Sequence, residues 1–439
     1  MPKLLFIGDR RIFALSKQNS PKLLFCILFL LCTLFSCAAN KNRDDGNITT
    51  QNKKGQSEIK TNIIADSLDY DQITAYTYSE GLIIVEKDYQ CGFMDLRTAE
   101  LVIPCVYQNA YPFNEGLACV VVKGNKIGLI DKTGEIAIPC IYDESTWRFK
   151  EGSIGVRKGS KWGFVDRNGE TVIPFEFDSA ESFSEGLALV SGKGKYAFID
   201  KFGNTAISLA DYAFAYSFAN GYAVVHKNGK NGLINKEGKL VVPLIHDHIT
   251  NVDVSPEYPK GLACVANDGK VGYVDIGKDA NKTIDMEYDH IPFFAGEFAS
   301  VAKNGKWGVV DRNNGIVVPF EYDFISESFE SYGFAVAAKN GKYGCINQNN
   351  EIVMPFVYER LMPKGGYLHA TIKEKFDEQY NPQTGEYEPV YRNSEGFIDK
   401  NENIIVPFGY YDWVFFVIGE DNIYIMRKEG KWTILEIIQ

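Results

Sequence analysis

The sequence has little of what most enzymes and metalloproteins need. It contains five histidines, and it has no phosphate-binding loop, no dinucleotide fingerprint, no H-E-x-x-H and no G-x-S-x-G motif. Its cysteines form neither a C-x-x-C pair nor a Cys/His spacing typical of a zinc site. We therefore predict a protein without catalytic activity, cofactor or metal.

Basic charge and helical periodicity are also scarce. The chain has 46 Lys and Arg against 57 Asp and Glu, a formal net charge of −11. Nucleic-acid binding needs a basic surface, so the charge argues against that class of partner. No segment of useful length has apolar residues at helical spacing, and the 25 Tyr and 29 Phe favour strands. The sequence predicts an all-β protein.

The amino terminus is typical of a targeting segment. Residues 23–35 form an uncharged apolar run of thirteen residues behind a basic stretch, and a membrane-spanning helix needs about 20. The run ends in "LFSC", Leu34 to Cys37, which resembles the lipobox of bacterial lipoproteins. The resemblance implies a signal peptide over 1–36 and lipidation of Cys37. An ordinary signal peptide cut elsewhere and an N-terminal anchor helix are the alternatives.

A polar stretch follows Cys37. Residues 38–62 have almost no large apolar side chains, so we assign 37–74 to a flexible tether before the repeats. Asp44 and Asp45 resemble the surface-export signal of some Bacteroidetes lipoproteins. These features imply a lipid-anchored protein of the bacterial cell envelope, at the outer membrane and potentially surface-exposed.

The rest of the chain is a repeat. The words "NKIGLID" (125–131), "SKWGFVD" (160–166), "GKYAFID" (194–200), "GKVGYVD" (269–275) and "NGKWGVVD" (304–311) recur at a period near 35 residues. Such a fixed period marks a repeat architecture, in which stacked neighbours supply the core. Each unit reads as an antiparallel meander of three strands, with room for a short fourth one.

The repeated words E-G-x-A, G-K-W-G-x-(I/V)-D and (I/V)-P-x-x-Y-D resemble the WG-repeat family, also called KWG repeats. The resemblance covers residues 75–439, with about nine units and a partial one at the carboxyl end. Ala197 and Ser208 depart from the pattern where other units have Gly and Pro. Propellers usually have four to eight blades, so nine units favour an open curved or superhelical array. A closed propeller-like ring is the alternative.

Carboxylates and histidines within the repeat do not point to a reaction. Asp131, Asp166 and Asp200 recur once per unit at the start of a turn, whereas glycosidases need two carboxylates at one defined separation. The "HDH" at 246–248 resembles a metal-binding doublet. However, Asp247 occupies a repeated position and His246 replaces an aromatic residue, so we predict a substitution within the repeat.

The clearest break in the period is a spacing of 52 residues before Gly396. The extra segment, 373–393, has a turn at "NPQTGE" with Tyr380 on one arm and Tyr387 and Tyr391 on the other. Insertions in repeat proteins often lie on the binding face, and Tyr offers contact area with a polar tip. We predict a protruding hairpin that binds a partner. The alternative is a decorative hairpin packed on its own unit.

Together these patterns predict a non-catalytic binding or scaffold surface for protein or glycan partners. A glycan-active enzyme on a propeller-like fold is one alternative, and it would need two convergent carboxylates from non-equivalent positions. A structural spacer is the other, and it would have no concentrated patch of exposed aromatic side chains.

Overall fold

The computed structural model describes residues 60–438, except for 254–260, 277–282, 291–296, 312–313, 327–328, 365–366, 385 and 421. All of them belong to one compact unit, residues 50–439. The described residues form ten antiparallel sheets, which we call blades 1 to 10 in chain order. Nine sheets have four strands and one has three.

The first strand of the chain is β1 (Lys60–Leu68). Blades 1 to 3 then consist of β2 (Gln72–Ile73), β3 (Leu82–Lys87), β4 (Gln90–Asp95), β5 (Leu101–Tyr107), β6 (Asn109–Ala110), β7 (Leu117–Val122), β8 (Lys126–Asp131), β9 (Ile136–Tyr142), β10 (Glu144–Ser145), β11 (Ile154–Lys158), β12 (Lys161–Val165) and β13 (Thr171–Phe177).

Blades 4 to 6 consist of β14 (Ser179–Ala180), β15 (Ala188–Gly192), β16 (Lys195–Ile199), β17 (Thr205–Ser208), β18 (Phe214–Ala215), β19 (Tyr222–Lys227), β20 (Lys230–Asn235), β21 (Leu240–His246), β22 (His248–Asp253), β23 (Leu262–Asn267), β24 (Lys270–Asp275) and β25 (Thr283–Tyr288).

Blades 7 to 10 consist of β26 (Phe298–Lys303), β27 (Lys306–Asp311), β28 (Ile316–Tyr322), β29 (Phe324–Ile325), β30 (Ala335–Lys339), β31 (Lys342–Ile346), β32 (Ile352–Tyr358), β33 (Arg360–Lys364), β34 (Tyr367–Asn381), β35 (Glu386–Ile398), β36 (Ile404–Val406), β37 (Trp413–Phe416), β38 (Ile423–Lys428) and β39 (Lys431–Ile438). The described residues contain two helical segments, a 3-10 turn, Ala75–Thr77, and α1 (Phe329–Tyr332).

Blade 7 shows how the repeated words build a blade. Asn304 and Gly305 both have positive φ, 53° and 75°, which makes the two-residue turn that joins β26 to β27. Val309 and Val310 are both buried because neighbouring blades cover both faces of the sheet. A Cβ on Gly308 would lie 2.7 Å from the carbonyl oxygen of Val318 on the next strand. The Trp-Gly segment is therefore a central strand, and its glycine allows the next strand, β28, to approach closely.

Carboxylates tie neighbouring blades together along two opposite rims. On one rim, several blades have an Asp after the fourth strand that accepts from a Lys of its own blade and from a backbone N–H of the next. Asp143, for example, accepts from Lys126 Nζ at 2.6 Å and from the Gly159 N–H at 2.8 Å. On the other rim, Glu115 and Glu151, both in the left-handed region, accept backbone N–H groups of the following blade. We call these the hairpin rim and the Glu-Gly rim.

Ten apolar clusters fill the spaces between blades. Each combines residues from two neighbouring blades, and one of them joins Ile83 and Met94 of blade 1 to Ile425 and Trp432 of blade 10. The tenth blade thus packs on the first as every other blade packs on its neighbour. The described blades form a closed ring.

The amino-terminal strand completes this closure. β1 pairs antiparallel with β39 and supplies the fourth strand of blade 10. Trp432 Nε1 donates to the Tyr70 carbonyl at 2.9 Å, and Lys431 contacts Asp69 at 2.8 Å. Both ends of the ring are thereby joined in one sheet.

Three details of the fold differ from expectation. The prediction of an open array is wrong and the ring alternative is correct, because ten clusters close the circle. Most blades have four strands rather than three, and the short additional strand for which the sequence left room comes first in its blade, as in Asn109–Ala110 and Glu144–Ser145. Finally, β1 and β2 lie within residues 37–74, so the ring includes part of the segment assigned to the tether.

Candidate functional site

The hairpin of blade 9 is the longest element of the described chain. β34 has 15 residues and β35 has 13, whereas the equivalent strands of blade 7 have 6 each. Nine extra residues in a strand extend it by about 30 Å. Because the hairpin lengthens the turn between the second and third strands, it projects from the hairpin rim.

One face of this ribbon carries the three predicted tyrosines. Tyr380 pairs with Tyr387 across the strands, their ring centroids are 5.4 Å apart, and Tyr391 follows on the same face. The three side chains are 51 %, 68 % and 52 % exposed. Lys373 Nζ lies 5.1 Å from the centroid of the Tyr391 ring, a cation–π contact. We call this surface the tyrosine face.

The opposite face is acidic. Glu374, Asp377, Glu386 and Glu388 alternate with the tyrosine-face residues and so point the other way. Arg392 is the basic residue among them: it pairs with Glu374 at 2.8 Å and lies 4.5 Å from the centre of the Phe376 ring. The two faces of the ribbon therefore differ in both charge and aromatic content.

Both edges of the ribbon are protected against strand addition. In the described chain, β33 pairs with β34 up to Thr371 and β36 pairs with β35 from Phe397, so the distal edges have no neighbouring strand. Pro389 removes a donor from one edge, and a bulge at Phe376 interrupts the other. Proline and bulges are the usual protection of natural edge strands. The ribbon thus offers its faces, rather than its edges, for contact.

The base of the tyrosine face packs on blade 10. Phe397 lies on this face, because it comes ten residues after Tyr387 in the alternation of β35. Its ring is 5.0 Å from His369 and 4.4 Å from Tyr424 of blade 10. The pKa of Glu395 is lowered chiefly by the nearby imidazole of His369, whose Nε2 lies 3.3 Å from its carboxylate. The hairpin is anchored in the core and is continuous with it.

The sequence repeats of this chain match one protein family. A model described as "WG containing repeat" matches eight segments: 92–126, 127–162, 162–196, 196–230, 276–307, 307–343, 343–367 and 396–432. The matched segments cover more than half of the 439 residues. The chain belongs to the WG-repeat family.

Solved structures resemble this WG-repeat chain only distantly. A eukaryotic initiation factor has 10% identity and a TM-score of 0.44, covering 66% of this chain and 88% of its own. BamB from Moraxella catarrhalis has 10% identity, a TM-score of 0.30 and coverage of 87% and 99%. PorZ of Porphyromonas gingivalis, a component of the type-IX secretion system, has 8% identity, a TM-score of 0.27 and coverage of 85% and 52%. No curated protein matches the chain.

Asp131 and Asp166, which close WG segments, serve turns, as predicted. Asp131 Oδ1 accepts the N–H groups of Thr133 and Glu135 at 2.9 and 3.0 Å, and Asp166 accepts those of Asn168 and Glu170. The pKa of Asp131 is lowered, mainly by a hydrogen bond from the Thr133 hydroxyl. Carboxylates held in this way fix the connection between the third and fourth strands.

His246 and Asp247 also follow the repeat. Asp247 accepts from Lys230 at 2.6 Å and from the Asp268 N–H at 2.8 Å, as the equivalent aspartates do. His246 is 2 % exposed in the place where other blades bury Tyr or Phe. Its Nδ1 lies 3.2 Å from the Asn267 amide, and its Nε2 is buried without a hydrogen-bond partner. Among the residues that the structure describes, no group of three or more His, Cys, Asp or Glu could hold a metal.

The cysteines of the repeats are free thiols, and four of the six are buried. Burial raises the pKa of the Cys119 thiol to about 12, which keeps it protonated. Cys37 and the segment 1–36 lie outside the described residues. Within the described part, no helix has the length and apolar character needed to cross a membrane.

Proposed function

We propose that this WG-repeat ring is a non-catalytic scaffold of the bacterial cell envelope that binds a protein or glycan partner through its blade 9 hairpin. The observation that carries the proposal is the tyrosine face. Tyr380, Tyr387 and Tyr391 are half to two-thirds exposed on a ribbon that the ring does not need for closure or packing. Large amphipathic side chains displayed in this way are enriched at interfaces.

The rigidity of the ribbon supports this role. Cross-strand pairing, the Tyr380–Tyr387 contact and the Arg392–Glu374 ion pair order the hairpin before any partner binds. A preordered surface loses less conformational entropy on association than a disordered loop. Tyrosine adds to this advantage, because it supplies much contact area with two rotatable angles.

The hairpin can be removed without disturbing its blade. Replacing 373–393 by Asn-Gly would restore the turn that Asn304-Gly305 makes in blade 7. We expect this variant to lose the envelope component captured by the wild-type protein, while its melting temperature stays the same. The measurement is capture from envelope extracts with quantitative mass spectrometry and carbohydrate analysis. A triple Tyr→Ser variant at 380, 387 and 391 is the matched control for loop length. Equal capture by all three proteins would reject the hairpin as the binding element.

We further propose that Cys37 carries the lipid that anchors the protein, on the basis of the "LFSC" sequence and the apolar run before it. Metabolic labelling with a palmitate analogue should label the wild type. Cys37→Ala should lose the label and leave the detergent phase, whereas Cys26→Ala, inside the apolar run, should change neither. Persistent labelling of Cys37→Ala would contradict the proposal.

A further inference from the structure

The exposed aromatic side chains are concentrated on one part of the ring. Ten are exposed among the described residues. Seven belong to the hairpin rim of three consecutive blades, 9, 10 and 1: Phe376, Tyr380, Tyr387, Tyr391, Tyr410, Trp413 and Tyr89. The other three, Tyr76, Phe202 and Tyr216, lie singly in loops of the Glu-Gly rim. Scattered apolar residues are ordinary on a surface, but a concentrated group marks an interaction site.

Tyr89 is the most unusual member of this group. It occupies a two-residue turn with a φ of 60°, where blades 5, 6 and 7 have Gly229, Gly269 and Gly305. A bulky residue in the left-handed region is an outlier, and such outliers cluster at functional positions. Its side chain is 89 % exposed, so packing within the ring does not account for it.

Contacts place these residues next to one another. Asp69 joins Lys431 in blade 10 to Lys87 in blade 1, at 2.8 and 2.9 Å, so the two-residue turns beside these lysines are neighbours. Both lysines hold the pKa of Asp69 down to about 2. Lys428 Nζ lies 3.9 Å from the centroid of Tyr410, and Trp413 pairs with Arg427 on the adjacent strand.

The hairpin stands beside this group. The tyrosine face packs on blade 10 at its base, through Phe397 and Tyr424. The ribbon and the rim of blades 10 and 1 therefore meet at an angle lined by aromatic rings. Phe376 lies against Arg392 on the acidic face, so we call the other six aromatic residues together the aromatic corner.

We propose that the aromatic corner is one docking surface for a folded protein whose apolar patch is bordered by basic side chains. This rests on the proposed function and narrows its partner. Six aromatic side chains of about 150–250 Å² each, near half exposed, offer several hundred Å². That is the order of one side of a specific protein interface, about 800 Å². A single sugar or small metabolite covers much less.

The charged side chains around the aromatic corner indicate which partner surface it attracts. Lys87 and Lys431 of the corner are paired with Asp69, and Lys428 covers the Tyr410 ring. Asp88, Asp412 and Glu429 lie exposed in or beside the same turns, the acidic face of the ribbon stands behind them, and the chain carries a net charge of −11. A partner with a basic border is attracted by these carboxylates and an acidic one is repelled. The apolar centre of the partner then meets the tyrosine and tryptophan rings, where binding energy concentrates.

Site-specific photocrosslinking in living cells tests the proposal. A benzophenone amino acid is placed at 89, 387 or 413 in the full-length protein, and at 202 or 216 as matched exposed aromatic positions outside the corner. We expect one and the same protein to crosslink from the three corner positions and not from the two control positions. High salt during crosslinking should lower the yield, because screening weakens the charged border.

The substitution Tyr89→Gly separates binding from folding. It restores the residue that other blades use, so the melting temperature should stay or rise. The yield of the crosslink from 387 should fall about tenfold, as for loss of an interface anchor. If only position 387 gives crosslinks and Tyr89→Gly does not change their yield, the proposal for the aromatic corner is rejected and the proposed binding through the hairpin is kept. A glycan adduct would overturn the protein partner, and no adduct from any position would overturn both proposals.

Discussion

Single residues explain where the repeat keeps its pattern and where it departs from it. Gly308 has no room for a Cβ, because the Val318 carbonyl and the Phe320 ring lie 2.7 and 3.0 Å from that position. Ala197 is tolerated at the equivalent place in blade 4, where the fourth strand, β17, has 4 residues and ends at Ser208. The two exceptions seen in the sequence, Ala197 and Ser208, are thus one structural change.

Trp307 shows how a residue with apparent chemistry can be structural. Its ring lies 5.3 Å from both His290 and Phe324 and belongs to the apolar cluster between blades 7 and 8. Other blades have Ile127 or Asn231 at this place, opposite the residue that ends the fourth strand. Comparison of the copies within the sequence was sufficient to predict a strand position.

His246 is a residue whose consequence the sequence did not reveal. It faces Asn231, which in turn contacts His226 Nδ1 at 3.2 Å and donates to the Asp247 carbonyl at 2.7 Å. Blade 5 therefore buries a polar pair where blade 3 has Trp162 opposite Phe177. Burial, with a smaller contribution from nearby Lys230, lowers the pKa of His246, while Asp247 acts in the opposite direction.

We predict that the joint between blades 5 and 6 loses stability in mild acid. An exposed imidazole has an ordinary pKa of about 6.5, so below this pH the open form binds a proton that the closed form does not. The stability contributed by His246 is full above about pH 6.5 and falls as the pH drops toward the lowered value in the fold. Amide exchange, corrected for intrinsic rates, should show less protection in β20 and β21 at pH 5.5 than at pH 7.5, by up to about tenfold.

The control variants for this prediction come from the chain itself. His246→Tyr installs the residue of blades 2 and 7, and His246→Gln keeps a polar, non-titrating side chain. Both should remove the pH dependence in blade 5, whereas His248→Gln, at an exposed position, should keep it. An equal loss of protection in all variants would show that His246 is not responsible.

At the scale of the element, the blade was largely predictable from its words. Alternation, the Asn-Gly turn and the Asp turn predicted the second, third and fourth strands. Proline at strand edges was also expected, and Pro104, Pro139 and Pro319 lie in fourth strands that end their sheets. The first strand escaped prediction because two residues, such as Asn109–Ala110, are too short to show a period.

The hairpin was predictable for a different reason, because an interrupted period identifies an insertion. Its turn residues and the three tyrosines on opposite arms indicated a protruding ribbon. The sequence did not predict that aromatic and acidic residues separate onto two faces, since the bulge at Phe376 changes the alternation. The sequence also gave no reason to single out Tyr410 or Trp413, because the packing of blade 10 determines which residues lie next to them. Tyr89 had a signal, the "KDYQ" turn where other units read "KNGK".

At the scale of the molecule, ring closure depends on a strand without repeat words. β1 reads "KTNIIADSL", which resembles no part of the other blades, and its partner β39 is more than 360 residues away. A count of nine units also missed that the first and last words belong to complete blades. The period determines how neighbours pack, but the number of blades that closes a circle depends on small angles between sheets that the words do not specify.

We predict that removal of β1 opens the ring. Deletion of 38–70 takes away the fourth strand of blade 10 and the Tyr70 and Asp69 contacts at its end, whereas deletion of 38–59 leaves them. The longer deletion should increase the radius of gyration in small-angle scattering and expose residues 413–438 to protease. The shorter deletion should behave like the wild type. If the two deletions give the same protease pattern, β1 is dispensable for closure.

The direction of β1 gives the ring a front and a back. Lys60 pairs with Ile438 at the Glu-Gly rim, and Leu68 pairs with Trp432 beside the turns of the hairpin rim. The chain therefore enters the ring on the side opposite to the hairpin. A surface that holds the amino terminus would face the back of the ring. About 20 Å of strand would separate that surface from the front of the ring, and the tyrosines would point away from the surface. The same strand that locks the circle thus sets the direction in which the ring displays its hairpin.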